Sequence, residues 1–210
     1  MTTALPYRMY LLAYDSAVHG PFNRSRVGCL VRAAAVTELA LRGRIVERDG
    51  AARVTGSAPT GDPVLDQVLA QTRRPGAGWQ HLIRWDRPRT LAAVEDRLAS
   101  CGLLTVEERR TLVAPSRHVV MSDLAVVRAL QEHAAAVLRG SDPTDRVPLD
   151  DAALVALAAV GEIGPIASCR DSGHRARVDA IVGRLRELTP GLEQAIRSLR
   201  PTMATVRAHS

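Results

Sequence analysis

The chain has 210 residues, 46% hydrophobic and 24% charged, which is enough apolar side chain for a packed core and excludes a disordered polymer. Aromatics make up only 3%, so the core is expected to be aliphatic; all 28 basic residues are arginine, an excess that points first to a GC-rich, bacterial-type genome. The net charge of +6 and a pI near 10.2 favour phosphate-bearing polymers and anionic leaflets, while no apolar run approaches the ~20 residues of a membrane span.

Met9 to Ala13 form a short apolar element of either type, ending at Asp15 and a loop around Gly20 and Pro21. A helix over 26–42 follows, with Ser25 as its expected cap, Val27, Leu30, Val31, Ala34 and Leu41 at helical spacing, and Gly43 as its stop. Ile45 to Arg48 and Ala51 to Thr55, joined by Asp49-Gly50, predict a β-hairpin. Asp62-Pro63 opens another helix carrying Val64, Leu65, Val68 and Leu69. Trp79, Leu82 and Ile83 mark a short helix, and Leu91, Val94, Leu98 and Cys101 a longer one that stops at Gly102. Trp79 and Trp85 both read as packing residues.

Between Glu107 and Asp123 the pattern changes to Leu112-Val113, Pro115-Ser116 and Val119-Val120-Met121, which predicts a second hairpin with an exposed tip. Ser122 is the expected cap of a helix to Arg139. After a polar loop, Leu154 to Val160 is apolar on all sides and predicts a buried central helix, and amphipathic helices near 171–188 and 191–206 close the chain. The expected fold is mainly α: a single globular helical domain spanning 1–210, with a buried central helix, surrounding amphipathic helices and two peripheral β-hairpins.

No metal-ligand spacing, Gly-rich phosphate loop or nucleophile motif is present in the sequence, so no catalytic residue, metal or cofactor is expected and the chain reads as a non-enzyme. Cys29, Cys101 and Cys169 are scattered and odd in number, which fits buried thiols rather than a disulfide framework. Glu38 interrupts the apolar side of its helix, with Arg42 at i+4 to neutralise it, and His133 reads as a surface or capping residue. The chain is expected to be soluble and cytoplasmic.

Specific runs resemble the Golgi phosphoprotein 3 family. Cys29-Leu30-Val31-Arg32 through Thr37-Glu38-Leu39-Ala40-Leu41-Arg42-Gly43-Arg44-Ile45 is similar to the family's helix and first strand, and Ala58-Pro59-Thr60-Gly61-Asp62-Pro63 to its Pro-Thr-Gly-Asp motif. Arg97-Leu98, Gly102-Leu103-Leu104-Thr105, the following hairpin and the Leu154 to Ala159 helix fall in the family's order. The resemblance spans roughly residues 8 to 206. It implies a peripheral membrane protein that binds phosphatidylinositol 4-phosphate in a basic pocket and, in eukaryotes, holds Golgi glycosyltransferases by their cytosolic tails.

Carried over residue by residue, the family's first phosphate-binding arginine falls on Arg32, which lies well off the apolar stripe and is expected to be exposed. The family's pocket tryptophan falls on Asn23, beside Phe22. Two further family arginines fall on Pro88 and Leu91, a departure that leaves Arg87 and Arg89 as flanking substitutes. The expected headgroup site is therefore Arg32, Arg87, Arg89, Phe22 and Asn23, with Leu112, Val113, Val119, Val120 and Met121 as a membrane-contacting hairpin. Expected partners are an anionic phospholipid headgroup, or a phosphate- or sulfate-like anion, and the tails of membrane glycosyltransferases; a homo-oligomer stays open. Two alternatives remain at this stage: a DNA-binding regulator that uses helix 26–42 with the 45–55 hairpin as a wing, and a scaffold contacting only proteins. Basic residues spread along the chain count against nucleic acid.

Overall fold

The computed structural model describes residues 4–21, 23–73, 78–110, 115–163, 172–188 and 190–199. Helix α1 (Leu5–Leu12) leads into a small ladder of β1 (Tyr14–Asp15) and β2 (Gly20–Pro21), then α2 (Arg24–Leu41). The hairpin of β3 (Ile45–Arg48) and β4 (Ala51–Val54) precedes α3 (Pro63–Thr72), α4 (Trp79–Arg84) and α5 (Arg87–Ser100). A longer hairpin of β5 (Leu104–Arg110) and β6 (Pro115–Met121) is followed by α6 (Leu124–Arg139), α7 (Leu149–Val160), α8 (Ser172–Arg184) and α9 (Pro190–Arg197). The fold is mainly helical, and each described sheet is a two-stranded antiparallel ladder.

The local chemistry explains most boundaries. Asp62 caps α3 by accepting from the backbone N–H groups of Val64 and Leu65 at 2.9 and 3.0 Å, with Pro63 at the first helical position where its missing N–H costs nothing. Gly43, at φ +63°, ends α2 in the left-handed conformation that a side chain disfavours. Asp49 and Gly50 both take positive φ, which matches the twist of the β3–β4 hairpin. Two caps differ from expectation. Asn23, not Ser25, caps α2 by accepting from Arg26 N at 2.9 Å, and Asp123, not Ser122, caps α6. Pro190 opens α9.

Two helices sit at the centre. Helix α7 is buried along almost its whole length, from Ala152 to Ala158, as its all-round apolar sequence predicts. Helix α2 is equally enclosed: every residue from Arg26 to Thr37 is buried, because α1, α3, α4, α5 and α7 surround it. Its Arg and Thr side chains are therefore interior groups. Arg8 of α1 ties this centre to α7 through ion pairs with Asp150 at 2.9 Å and with Asp151, and His133 Nε2 of α6 lies 3.0 Å from Asp151. Burial alone would raise the Asp151 carboxyl, but the bonds from Arg8 and His133 outweigh it and hold the group below the ordinary value.

Several expectations are corrected. Cys29 is buried as predicted, but Cys101 is exposed, since it follows the last turn of α5. Trp79 is 3% exposed and packs in the core, whereas Trp85 is 37% exposed and rests against His81 outside it. Cys169, Phe22, Leu112 and Val113 lie outside the described residues. None of the described helices is long and apolar enough to cross a membrane.

Candidate functional site

A cleft of about 290 Å³ opens where the first turns of α2 and α5 meet, lined by Arg24, Ser25 and Gly28 on one side and Arg87, Pro88 and Leu91 on the other. Gly28 stands where the two helices approach. A Cβ there would stand 3.5 Å from the Arg87 carbonyl and 3.7 Å from Leu91 Cδ2. Asp86, ahead of α5, supplies no side-chain cap, and with Pro88 lacking an N–H and Thr90 N bonded to the Asp86 carbonyl, the first turn of α5 offers the Arg87 and Arg89 N–H groups to an anion.

The two cleft arginines are held differently. Arg87 stands near the buried Cys29: burial pushes that thiol up, and the Arg87 charge opposes it. Arg24 grips Glu95 with both terminal nitrogens, each 2.8 Å from a carboxylate oxygen. Glu95 is fully buried, yet it is satisfied: it also accepts from Tyr10 Oη at 3.1 Å and pairs with Arg117 of β6 at 3.3 Å. One carboxylate thus joins the cleft rim to the β5–β6 hairpin. Burial, then the Glu95 charge, pushes the Tyr10 phenol up.

Arg32 is not on the surface. It is 0% exposed, and its guanidinium donates from Nε to the Leu82 carbonyl at 2.8 Å and from Nη1 to Gln71 Oε1 at 2.6 Å and Thr90 Oγ1 at 3.2 Å. Its Nη2 is buried and finds no partner among the described residues. Burial lowers its pKa to about 10 against the opposing charge of Asp86, so it stays cationic at neutral pH. Gln71 passes the contact on, donating from Nε2 to Asp86 Oδ2 at 2.8 Å. Arg32 therefore knits α2, α3, α4 and α5 together behind the cleft. The expectation of exposure fails because an apolar stripe marks the most buried face of a helix, while α2 is enclosed on all of them.

Of the other predicted residues, Arg87 lines the cleft, Arg89 is exposed outside its lining, and Asn23 serves as the cap of α2. Val119 and Met121 are 1% and 7% exposed and belong to the core, so they are not a membrane-contacting tip. They pair with Val106 and Leu104 at the base of a seven-residue ladder, and strand alternation turns only Val120 outward, at 36% exposure. Arg24, Gly28 and Glu95 were missed, and Ser25 was read only as a helix cap. A glycine inside a helix and a carboxylate one turn from both Leu91 and Leu98 were the available signals.

The runs that carry the resemblance have structural work. Glu38 accepts from Leu5 N at 2.8 Å and from Arg42 Nε at 2.7 Å, so it fixes the start of α1. Asp62, besides capping α3, accepts from Tyr7 Oη at 2.7 Å. Both motifs fasten α1 to the body of the fold and neither lines the cleft. A comparison with curated proteins finds no match. The family model described as Golgi phosphoprotein 3 (GPP34) matches residues 5–199, nearly the whole chain and all the elements just described, and the protein belongs to that family.

Proposed function

We propose that this protein is a peripheral membrane-surface module, without catalytic activity, that takes an anionic phospholipid headgroup in the α2–α5 cleft. The observation that carries the reading is the meeting of Arg24, Ser25, Arg87 and the uncapped start of α5 around one opening in a member of the Golgi phosphoprotein 3 family. Phosphatidylinositol 4-phosphate is the ligand that the family resemblance suggests. With Pro88 and Leu91 where the family carries arginines, the grip rests on Arg87 and on an Arg24 already shared with Glu95. Binding is therefore general for anionic headgroups, and a role as adaptor for cytosolic tails of membrane glycosyltransferases follows from the same seating. The DNA reading loses its recognition helix, because α2 is enclosed and offers no face to a groove.

Vesicle flotation tests the proposal. Binding is expected to vesicles containing phosphatidylglycerol or phosphatidylinositol 4-phosphate, not to pure phosphatidylcholine, and to weaken with added salt. Arg87→Ala should cost about ten-fold in affinity, the loss of one charge-assisted contact. Equal binding to neutral vesicles, or wild-type binding by the variant, overturns the cleft as the headgroup site.

A further inference from the structure

The corner between α4 and α5, immediately before the cleft, carries an aromatic ring on the outside of the molecule. Trp85 is 37% exposed, one of three large hydrophobic side chains exposed among the described residues and the only ring among them. A single exposed apolar side chain means little alone. Here it stands in the run Arg84-Trp85-Asp86-Arg87-Pro88-Arg89, with Arg84 and Arg89 exposed beside it and Arg87 and Pro88 lining the cleft.

The corner is built to stay where it is. Asp86 takes φ +45°, unusual for a residue with a side chain, and is held there from two directions. Its carboxylate accepts from Gln71 Nε2 at 2.8 Å, and its carbonyl accepts from Thr90 N and Oγ1, both at 3.1 Å. Gln71 is itself fixed by the buried guanidinium of Arg32 at 2.6 Å. The indole leans on the His81 ring one turn earlier, with centroids 4.8 Å apart, instead of turning into the core. A part-exposed indole in a run with exposed arginines fits a surface that is at once anionic and apolar. A lipid interface has both properties; a soluble phosphate has only the first.

We propose that this corner is a second contact with the membrane: the Trp85 indole enters the headgroup layer of an anionic bilayer, flanked by Arg84 and Arg89 on neighbouring lipid phosphates, while Arg87 serves the headgroup in the cleft. The inference rests on the lipid reading of the cleft and adds a seat that the cleft does not supply. It also fixes an orientation, since the ring and the cleft share one helix end.

The chain holds two tryptophans, one buried and one exposed, so its own fluorescence is the probe. The full chain is titrated with phosphatidylcholine vesicles and with vesicles containing phosphatidylglycerol, binding being followed separately by flotation. Expected are a blue shift on the anionic vesicles only, its quenching by brominated acyl chains, loss of both in Trp85→Ser, and a roughly ten-fold weaker binding of that variant at an unchanged melting temperature. Wild-type binding by Trp85→Ser with no shift in the wild-type chain overturns the corner and leaves the cleft standing. Retained Trp85 shift with an Arg87→Ala variant that binds normally removes the cleft as the site and leaves the corner as the contact. Absence of binding to any vesicle overturns both, and a shift produced by an acidic polypeptide but by no vesicle overturns the lipid in favour of a protein partner.

Discussion

Arg32 illustrates how far a single position can depart from its appearance in the sequence. Its place on the helical wheel suggested solvent, and a phosphate site seemed to follow; the structure puts it at the junction of four helices, donating to Leu82, Gln71 and Thr90. Removing it orphans those acceptors and leaves a cavity. Arg32→Ala is therefore expected to lower stability by about 2–4 kcal/mol in urea unfolding. Unchanged stability with a ten-fold loss of vesicle binding would instead make Arg32 a direct ligand. Residue-level reading succeeded where the cause is local: Asp62 and Pro63 at a helix start, Gly43 at a helix end, Glu38 paired with Arg42. It failed at Arg32, whose partners Gln71, Leu82 and Thr90 come from segments distant in sequence.

The same distinction governs whole elements. The β3–β4 hairpin was legible nearly to the residue because the Asp-Gly turn dictates its register, and α7 because no face of it is polar. The β5–β6 hairpin was legible in existence but not in depth. Its apolar Val119-Val120-Met121 run looked like a tip, yet seven paired residues place it at the base, with alternate side chains facing opposite ways. Two substitutions separate these faces. Val119→Asp buries a carboxylate without a partner and is expected to cost more than 3 kcal/mol, whereas Val120→Asp should change stability by less than about 0.5 kcal/mol. Thermal melts of the two variants decide it; equal effects would mean that the alternation does not hold. The short β1–β2 ladder carried no signal, since two residues per strand are too few to show a period.

At the scale of the molecule, the residues that make the family recognisable are those that assemble it. Glu38 and Asp62 tie down α1 through Leu5 and Tyr7, so the fold was legible from motif runs. The cleft was only partly legible, because it exists where two helix starts, 63 residues apart from Arg24 to Arg87, are brought together by packing. Gly28 draws the two levels apart. A methyl group there meets its neighbours at ordinary contact distances of 3.5 and 3.7 Å, and alanine is the better helix former by about 1 kcal/mol. Gly28→Ala is thus expected to raise the melting temperature by a few degrees while weakening binding to anionic vesicles; a variant that is less stable, or that binds as before, contradicts this. The position then serves as a marker among relatives: a chain with glycine here keeps an open cleft at some expense of stability, and one with a larger side chain has kept the scaffold and given up the opening.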